Sequence, residues 1–175
     1  MITKTFCTIA YKQEPIEEVL ERLAAIGWDA AEIISGHLKE KSDDELRDLL
    51  KLARDRGIGV EVVSPYFWLT QNDELREESM QIARRAIEQA RILECPKIRT
   101  FTDAGPTGIG SDVATGEHWA QAVGCLREIT SWAPDLKFVV ETHGKTLADV
   151  PDATLRLLRE VGAENLRVNY QVESQ

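Results

Sequence analysis

Six short runs rich in β-branched and aromatic residues alternate along the chain with stretches of helical periodicity, and this alternation limits the fold more than any other feature. The strand candidates are 2–10, 30–36, 59–67, 97–103, 137–143 and 166–171, and the helical stretches lie near 15–27, 42–56, 73–94, 115–133 and 150–161. In the first helical stretch Ile16, Val19, Leu20, Leu23 and Ala24 share one face, the spacing of a helix with a single buried stripe. Ser42-Asp43-Asp44-Glu45 has the pattern of a capping box, in which the Ser hydroxyl and the Glu carboxylate each satisfy a free backbone donor. Gly27, Gly57 and Gly162 stand where helices must stop in a left-handed conformation. The segments 20–33, 50–63 and 155–168 each repeat one motif: a Leu/Ala-rich helix end, a glycine, then a strand. Strands alternating with helices at this spacing predict parallel strands joined by right-handed crossovers.

An open doubly wound sheet and the first six strands of a (β/α)8 barrel both satisfy that pattern. Charged residues inside the strand candidates separate the two. Glu32, Glu61, Arg99, Glu141 and Arg167 interrupt otherwise apolar runs. A sheet covered on both faces would bury each of them without an exit. A barrel lets inward side chains of different strands meet, so that acids and arginines pair around one axis. The expectation is therefore an α/β chain of incomplete (β/α)8 barrel type, with about six strands and five helices, forming one domain over 1–175. It would fall some ~75 residues short of the ~250 typical of such barrels, and its open first and sixth strands would favour self-association.

Composition bounds the function classes. With 21 basic against 30 acidic side chains and a net charge of -9, the chain lacks the basic surface that nucleic-acid binding needs. No apolar run approaches the ~18 residues of a membrane span, and the first residues lack the basic-then-apolar pattern of a secretory signal. Cys7, Cys95 and Cys125 are odd in number and too scattered for a disulfide framework or a zinc motif. A cytoplasmic location is the expectation.

The run Phe138-Val139-Val140-Glu141-Thr142-His143-Gly144 carries the clearest chemistry. Strand alternation puts Glu141 and His143 on one face, at the C-terminal end where barrel enzymes keep their reactive groups. A carboxylate beside an imidazole can ligate a metal or move a proton, or the two can form a structural ion pair. On the sixth run, Leu166, Val168 and Tyr170 alternate with Arg167, Asn169 and Gln171. Asn169 and Gln171 would line the cavity of Glu141, where amides suit the hydroxyls of a polyol. His37 follows the second run at the same rim. Arg99 would hold a phosphate or carboxylate, or would pair with Glu32 or Glu61. The loop Gly105-Pro106-Thr107-Gly108-Ile109-Gly110-Ser111 would overhang the site as a flexible lid, and it lacks the Lys-Ser/Thr ending of a P-loop. Tyr66, Phe67 and Trp68 would form an apolar wall for a sugar; Trp28, Trp119 and Trp132 read as packing residues, and His118 as a surface residue of a helix. No nucleophilic serine elbow is present.

The order and spacing of several segments resemble the xylose isomerase-like TIM-barrel family of sugar phosphate isomerases and epimerases. They are Gly27-Trp28-Asp29-Ala30-Ala31-Glu32-Ile33, Lys97-Ile98-Arg99-Thr100-Phe101, Val140-Glu141-Thr142-His143 with Thr146-Leu147-Ala148-Asp149, and Asn165-Leu166-Arg167-Val168-Asn169-Tyr170-Gln171. The resemblance implies proton transfer next to a carbonyl, assisted by a divalent metal (Mn, Mg, Co or Zn). It makes Glu141 both metal ligand and catalytic group; the candidate substrate-binding residues, by their positions at the same rim and strand ends, are His37, Arg99, His143, Asn169 and Gln171. Family members place an Asp on strand six where Gln171 stands, and take two further ligands from strands seven and eight. The chain alone is thus expected to show little or no turnover. The alternative is a non-catalytic sugar-binding module of the same fold. Abasic-site endonucleases share the superfamily, but three histidines and a charge of -9 oppose a multi-zinc DNA site.

Overall fold

The structure is a computed structural model and describes residues 2–103 and 105–171. Six strands are hydrogen-bonded in chain order, and every assigned register is parallel. The chain divides into two compact units, 1–64 with 86–98, and 65–85 with 99–175.

The first unit contains β1 (Thr5–Cys7), β2 (Ala30–Ile34) and β3 (Gly59–Ser64), with α1 (Ile16–Ala25) and α3 (Asp43–Arg56) between them. The α1 stripe of Ile16, Val19, Leu20 and Leu23 is buried, as is the α3 stripe of Leu46, Leu49 and Ala53. The Ser42–Glu45 capping box is present in both directions. Gly27, Gly57 and Gly162 all take positive φ. In β2 every residue except Glu32 is buried, the pattern of a parallel strand covered on both faces. Strand β4 (Lys97–Thr100) pairs with β3 through Lys97 and Ile98, and Arg99 and Thr100 open the second unit.

The second unit holds α5 (Gly116–Trp132), β5 (Lys137–Glu141), α6 (Pro151–Val161) and β6 (Leu166–Asn169), together with the first part of α4 (Asp73–Ile92). β5 and β6 pair from Phe138↔Leu166 to Glu141↔Asn169. Trp119, Ala122, Leu126 and Ile129 form the buried face of α5, and Leu157 and Val161 belong to that of α6. Asn165 ties the turn before β6, donating to the carbonyls of Thr130, Ala133 and Leu136. Two tryptophans lie under guanidinium groups, Trp119 under Arg156 and Trp132 under Arg84, a packing mode worth little at an exposed site.

Two features differ from the sequence expectation. The strands end two or more residues early at their C-terminal ends, because the residues there bond to loops instead of the ladder. Thr102 is an example: its carbonyl accepts from Leu69 N and its hydroxyl accepts from Leu147 N. Among the described residues there are also six α-helices, not five. A short α2 (Ser35–Leu38) follows β2 directly and carries His37. The sheet ladder is replaced at this point by the Thr8 hydroxyl, which accepts from Ile34 N at 3.2 Å.

Candidate functional site

The second unit concentrates polar and aromatic side chains at the C-terminal ends of β4, β5 and β6. Parallel register places Asn169 opposite Glu141. Glu141 Oε2 accepts from Asn169 Nδ2 at 3.0 Å and faces Arg99 Nη1 at 3.0 Å. Both charged side chains are withdrawn from water, with 4% of Arg99 and 9% of Glu141 exposed. The guanidinium also lies 4.6 Å from the ring centre of Phe101 and 5.9 Å from that of Tyr66. These two rings stack with their planes 9° apart. A cation is therefore held by a carboxylate and an aromatic face together, an arrangement suited to the planar, weakly hydrated guanidinium.

Arg99 pairs with Glu141. Glu61 pairs with Lys97, and Glu32 accepts from Ser64 Oγ at 2.7 Å and from the Cys7 thiol at 3.6 Å. Arg167 is exposed and donates to the carbonyl of Leu166. His143 lies beyond the end of β5. It is exposed, with Nδ1 2.8 Å from the Gly144 carbonyl oxygen and its ring edge-on to Phe101. Gln171 is exposed, and its backbone N–H donates to the Thr142 hydroxyl. His37 belongs to the first unit, where it is half-buried with Nε2 3.5 Å from the carbonyl of Thr8. His118 caps α5, its Nδ1 accepting from Thr115 N.

Beside the pair, Asp103 is a buried hub that sequence reasoning missed. Its carboxylate accepts from the Thr70 hydroxyl at 2.6 Å, from Gln71 Nε2 at 3.3 Å and from Thr70 N at 3.4 Å. Burial pushes its pKa up in spite of these donors. Gln71 also donates to the Thr107 carbonyl, so the loop after β4 is tied down. Ser111 N donates to Asp149 Oδ2 at 2.9 Å, and a Cβ at Gly108 would overlap the Lys145 carbonyl oxygen. Strand alternation puts Phe101 and Asp103 on the face of Arg99, and this is the sequence signal that points to Asp103.

A groove of about 420 Å³ is lined by Thr142, His143, Asp149, Leu155, Val168 and Tyr170 among others, and by none of Arg99, Asp103, Glu141 and Asn169. Asp149 Oδ1, in its wall, is buried without a hydrogen-bond partner.

The described residues alone do not make up a donor set for a divalent metal. Hard cations require several oxygen ligands, and tetrahedral zinc sites require at least three side chains. Among the described residues no three His, Cys, Asp or Glu side chains converge on one point. Of the buried carboxylates, Glu141 already has a cation against it and Asp103 is taken up by Thr70 and Gln71.

Comparison with known proteins agrees with the fold. Residues 20–172 match the family model of the xylose isomerase-like TIM barrel, and the chain belongs to that family. A curated relative, the 3-dehydroshikimate dehydratase of Bacillus anthracis, is 24% identical over 172 residues, which cover 94% of this chain and 60% of the relative. Among solved structures, a probable 3-DHS dehydratase of the same organism superposes with TM-score 0.81 at 23% identity, over 97% of this chain and 62% of the other. D-psicose 3-epimerase in the presence of D-fructose gives TM-score 0.80 at 18% identity, over 97% and 63%. A xylose isomerase-like TIM barrel protein from Mycobacterium smegmatis, in complex with magnesium, gives 0.76 at 16%, over 95% and 63%. The likeness to these structures is one of fold. The chain spans about three fifths of the length of these relatives.

Proposed function

We propose that the chain belongs to a protein acting on a small polyhydroxylated carbonyl compound, a sugar or sugar phosphate, by proton transfer at the carbon next to the carbonyl. The observation that carries this reading is the buried Glu141 at the C-terminal end of β5, aligned by Asn169 and set against Arg99, Tyr66 and Phe101. A carboxylate fixed by an amide is a positioned proton acceptor. Amide and guanidinium donors suit hydroxyl, carbonyl or phosphate oxygens, and an aromatic wall suits the apolar face of a sugar. The names of the relatives, epimerases and a dehydratase, fit the same reading, since epimerisation next to a carbonyl and loss of water from a β-hydroxy carbonyl both begin by removing the α proton.

Epimerisation needs proton-transfer groups on both faces of the substrate. The described residues supply one clear candidate, Glu141, and its pairing with Arg99 opposes its use as a free base. The chain by itself is therefore proposed to bind more than it turns over. The same pairing favours a second reading, a non-catalytic binding module. His143 and Gln171 contribute to substrate binding only from the exposed rim in either reading, and His37 is proposed as a rim residue of the first unit. A cytoplasmic location, the absence of nucleic-acid partners and self-association through β1 and β6 complete the proposal. Among the described residues no helix is long and apolar enough to cross a membrane.

The test is saturation-transfer NMR with D-fructose, D-psicose, a ketose phosphate and 3-dehydroshikimate, followed in deuterium oxide for exchange of the proton next to the carbonyl. Saturable binding with slow exchange that Glu141→Gln reduces to background is the expected result. Binding with no exchange above buffer would select the binding module. Absence of saturable binding to all four compounds would sink both readings, and fast turnover by the chain alone would overturn the expectation of weak activity.

A further inference from the structure

We infer that the loop 105–111 is a strap fastened shut against the loop after β5, residues 142–149, with Gly108 as its seat and Asp149 as its clasp, and that the closed strap withholds the Asp149 carboxylate from the groove beside it. Both loops belong to the second unit. A freely moving lid would leave its backbone to water, whereas this one is tied along its length. Lys145 Nζ donates to the Pro106 carbonyl at 3.1 Å, Gln71 Nε2 to that of Thr107 at 3.2 Å, and Ser111 N donates to Asp149 Oδ2 at 2.9 Å. The seat is a close approach of two backbones: a Cβ at Gly108 would overlap the Lys145 carbonyl oxygen, so the position admits only glycine. Gly110 differs, since a Cβ there first meets the movable carboxylate ends of Asp112 and Asp149, at 2.8 and 3.0 Å. Lys145 takes φ 61°, a left-handed conformation that costs a side-chain-bearing residue energy and persists where the surroundings impose it. Its carbonyl against Gly108 and its ammonium on Pro106 are such surroundings. At the clasp, Oδ2 of Asp149 is taken by Ser111, while Oδ1 is buried without a hydrogen-bond partner. A fastening with strain at one point and an unsatisfied oxygen at another is one that can open. Asp149 also lines the groove of about 420 Å³, so opening the strap gives that groove a free carboxylate, an acceptor for a hydroxyl or ammonium group.

Two readouts on the full chain test this without any ligand, so the result stands apart from the proposed function. One is hydrogen exchange at the Ser111 amide, followed by NMR with the amides of β5 as reference, because local opening exposes the strap and not the core. The other is labelling of carboxylates with a water-soluble carbodiimide and an amine, read by peptide mass spectrometry, with the exposed Asp112 as internal standard. In wild type Ser111 should be protected and Asp149 should label far less than Asp112. Gly108→Ala can relieve its overlap only by lifting the loop, and should expose both Ser111 and Asp149; Gly110→Ala should do less. Asp149→Leu should speed exchange at Ser111 by about tenfold or more, the factor that loss of a hydrogen bond to a charged group supports. Asp149→Asn, whose amide oxygen can accept the same bond, should restore protection. If Gly108→Ala does not fold, Ser111→Pro removes the donor and leaves Asp149 in place, and labelling of Asp149 is read under the same expectation. Wild-type exchange at Ser111 as fast as in an unstructured peptide would overturn the inference, as would wild-type labelling of Asp149 equal to that of Asp112. So would a folded Gly108→Ala that matches wild type in both readouts. Equal acceleration at Ser111 and in β5 would mean general loosening and would count against a local strap.

Discussion

Glu32 on β2 and Glu141 on β5 are both carboxylates set in strands whose neighbours are mostly buried, yet the chain accommodates them by different means. Glu32 is half-buried and accepts from the Ser64 hydroxyl and the Cys7 thiol. Glu141 is buried and has a guanidinium as well as an amide. The difference follows from desolvation. A carboxylate that keeps part of its hydration needs only a few good hydrogen bonds, whereas one removed from water needs a compensating charge. The Glu141 pair is thus no evidence of net stability in itself; it marks a place where a charge is retained in spite of its cost.

The sharpest way to break this comparison is to remove the cation. Arg99→Met leaves Glu141 buried without that guanidinium, and should destabilise the chain by about 3–5 kcal/mol in urea unfolding. Replacing both partners with methionine should recover most of that loss, because apolar substitutes for a whole buried pair are often neutral. A loss below about 1 kcal/mol for Arg99→Met alone would place the pair with exposed ones and remove the distinction from Glu32.

On the other side, Ser64→Ala removes a hydrogen bond to a charged group and should cost about 1.5 kcal/mol, the low end for such bonds because water can still reach Glu32. Cys7→Ala removes only a weak S–H donor at 3.6 Å and should cost about 0.5 kcal/mol. Equal losses from Ser64→Ala and Arg99→Met, measured by the same unfolding experiment, would mean that the two carboxylates are held alike.

How much of this was legible in the sequence depends on the range of the information. Local signals were read well: the α1 and α3 stripes, the Ser42–Glu45 box, and the left-handed glycines at 27, 57 and 162 are each encoded within a few residues. The fold type followed from the order of elements, and Glu141 and Asn169 emerged as neighbours because both lie at strand ends with the same alternation. The partner of Arg99 was not legible. Glu32 and Glu61 were its expected partners by type, and the pairing with Glu141 is made by side-chain reach between strands, which no single-strand period contains. The Thr115–His118 cap escaped because the sequence rule looks for Glu or Gln at that position, and an imidazole nitrogen accepts the same bond. The α2 turn was hidden because the Thr8 hydroxyl, from a distant segment, takes the amide that would have continued β2.

Asp103 tests the comparison from between its two ends, since it is buried like Glu141 but, like Glu32, accepts from a hydroxyl and a second neutral group. If desolvation decides, these donors should not be enough, and its pKa does lie above the ordinary 3.8, with burial as the first cause. The sign then follows from linkage. Between the unfolded and the raised folded value, the folded chain binds more protons than the unfolded one, so this group's contribution to stability falls as pH rises through that window and is constant above it. Asp103→Asn has no charge to bury, and its amide oxygen can still accept from the Thr70 hydroxyl. The variant should match wild type below the ordinary carboxylate range and gain on it as pH rises from about 3.8, reaching a plateau above the raised folded value. Urea unfolding of both proteins across a series of pH values measures that difference free of every other titrating group. A difference that runs the other way, with the variant losing ground as pH rises, would show that Thr70 and Gln71 stabilise the ionised form. Neutral hydrogen bonds would then be able to replace a cation at a buried carboxylate in this fold, and the contrast between Glu32 and Glu141 would need another cause.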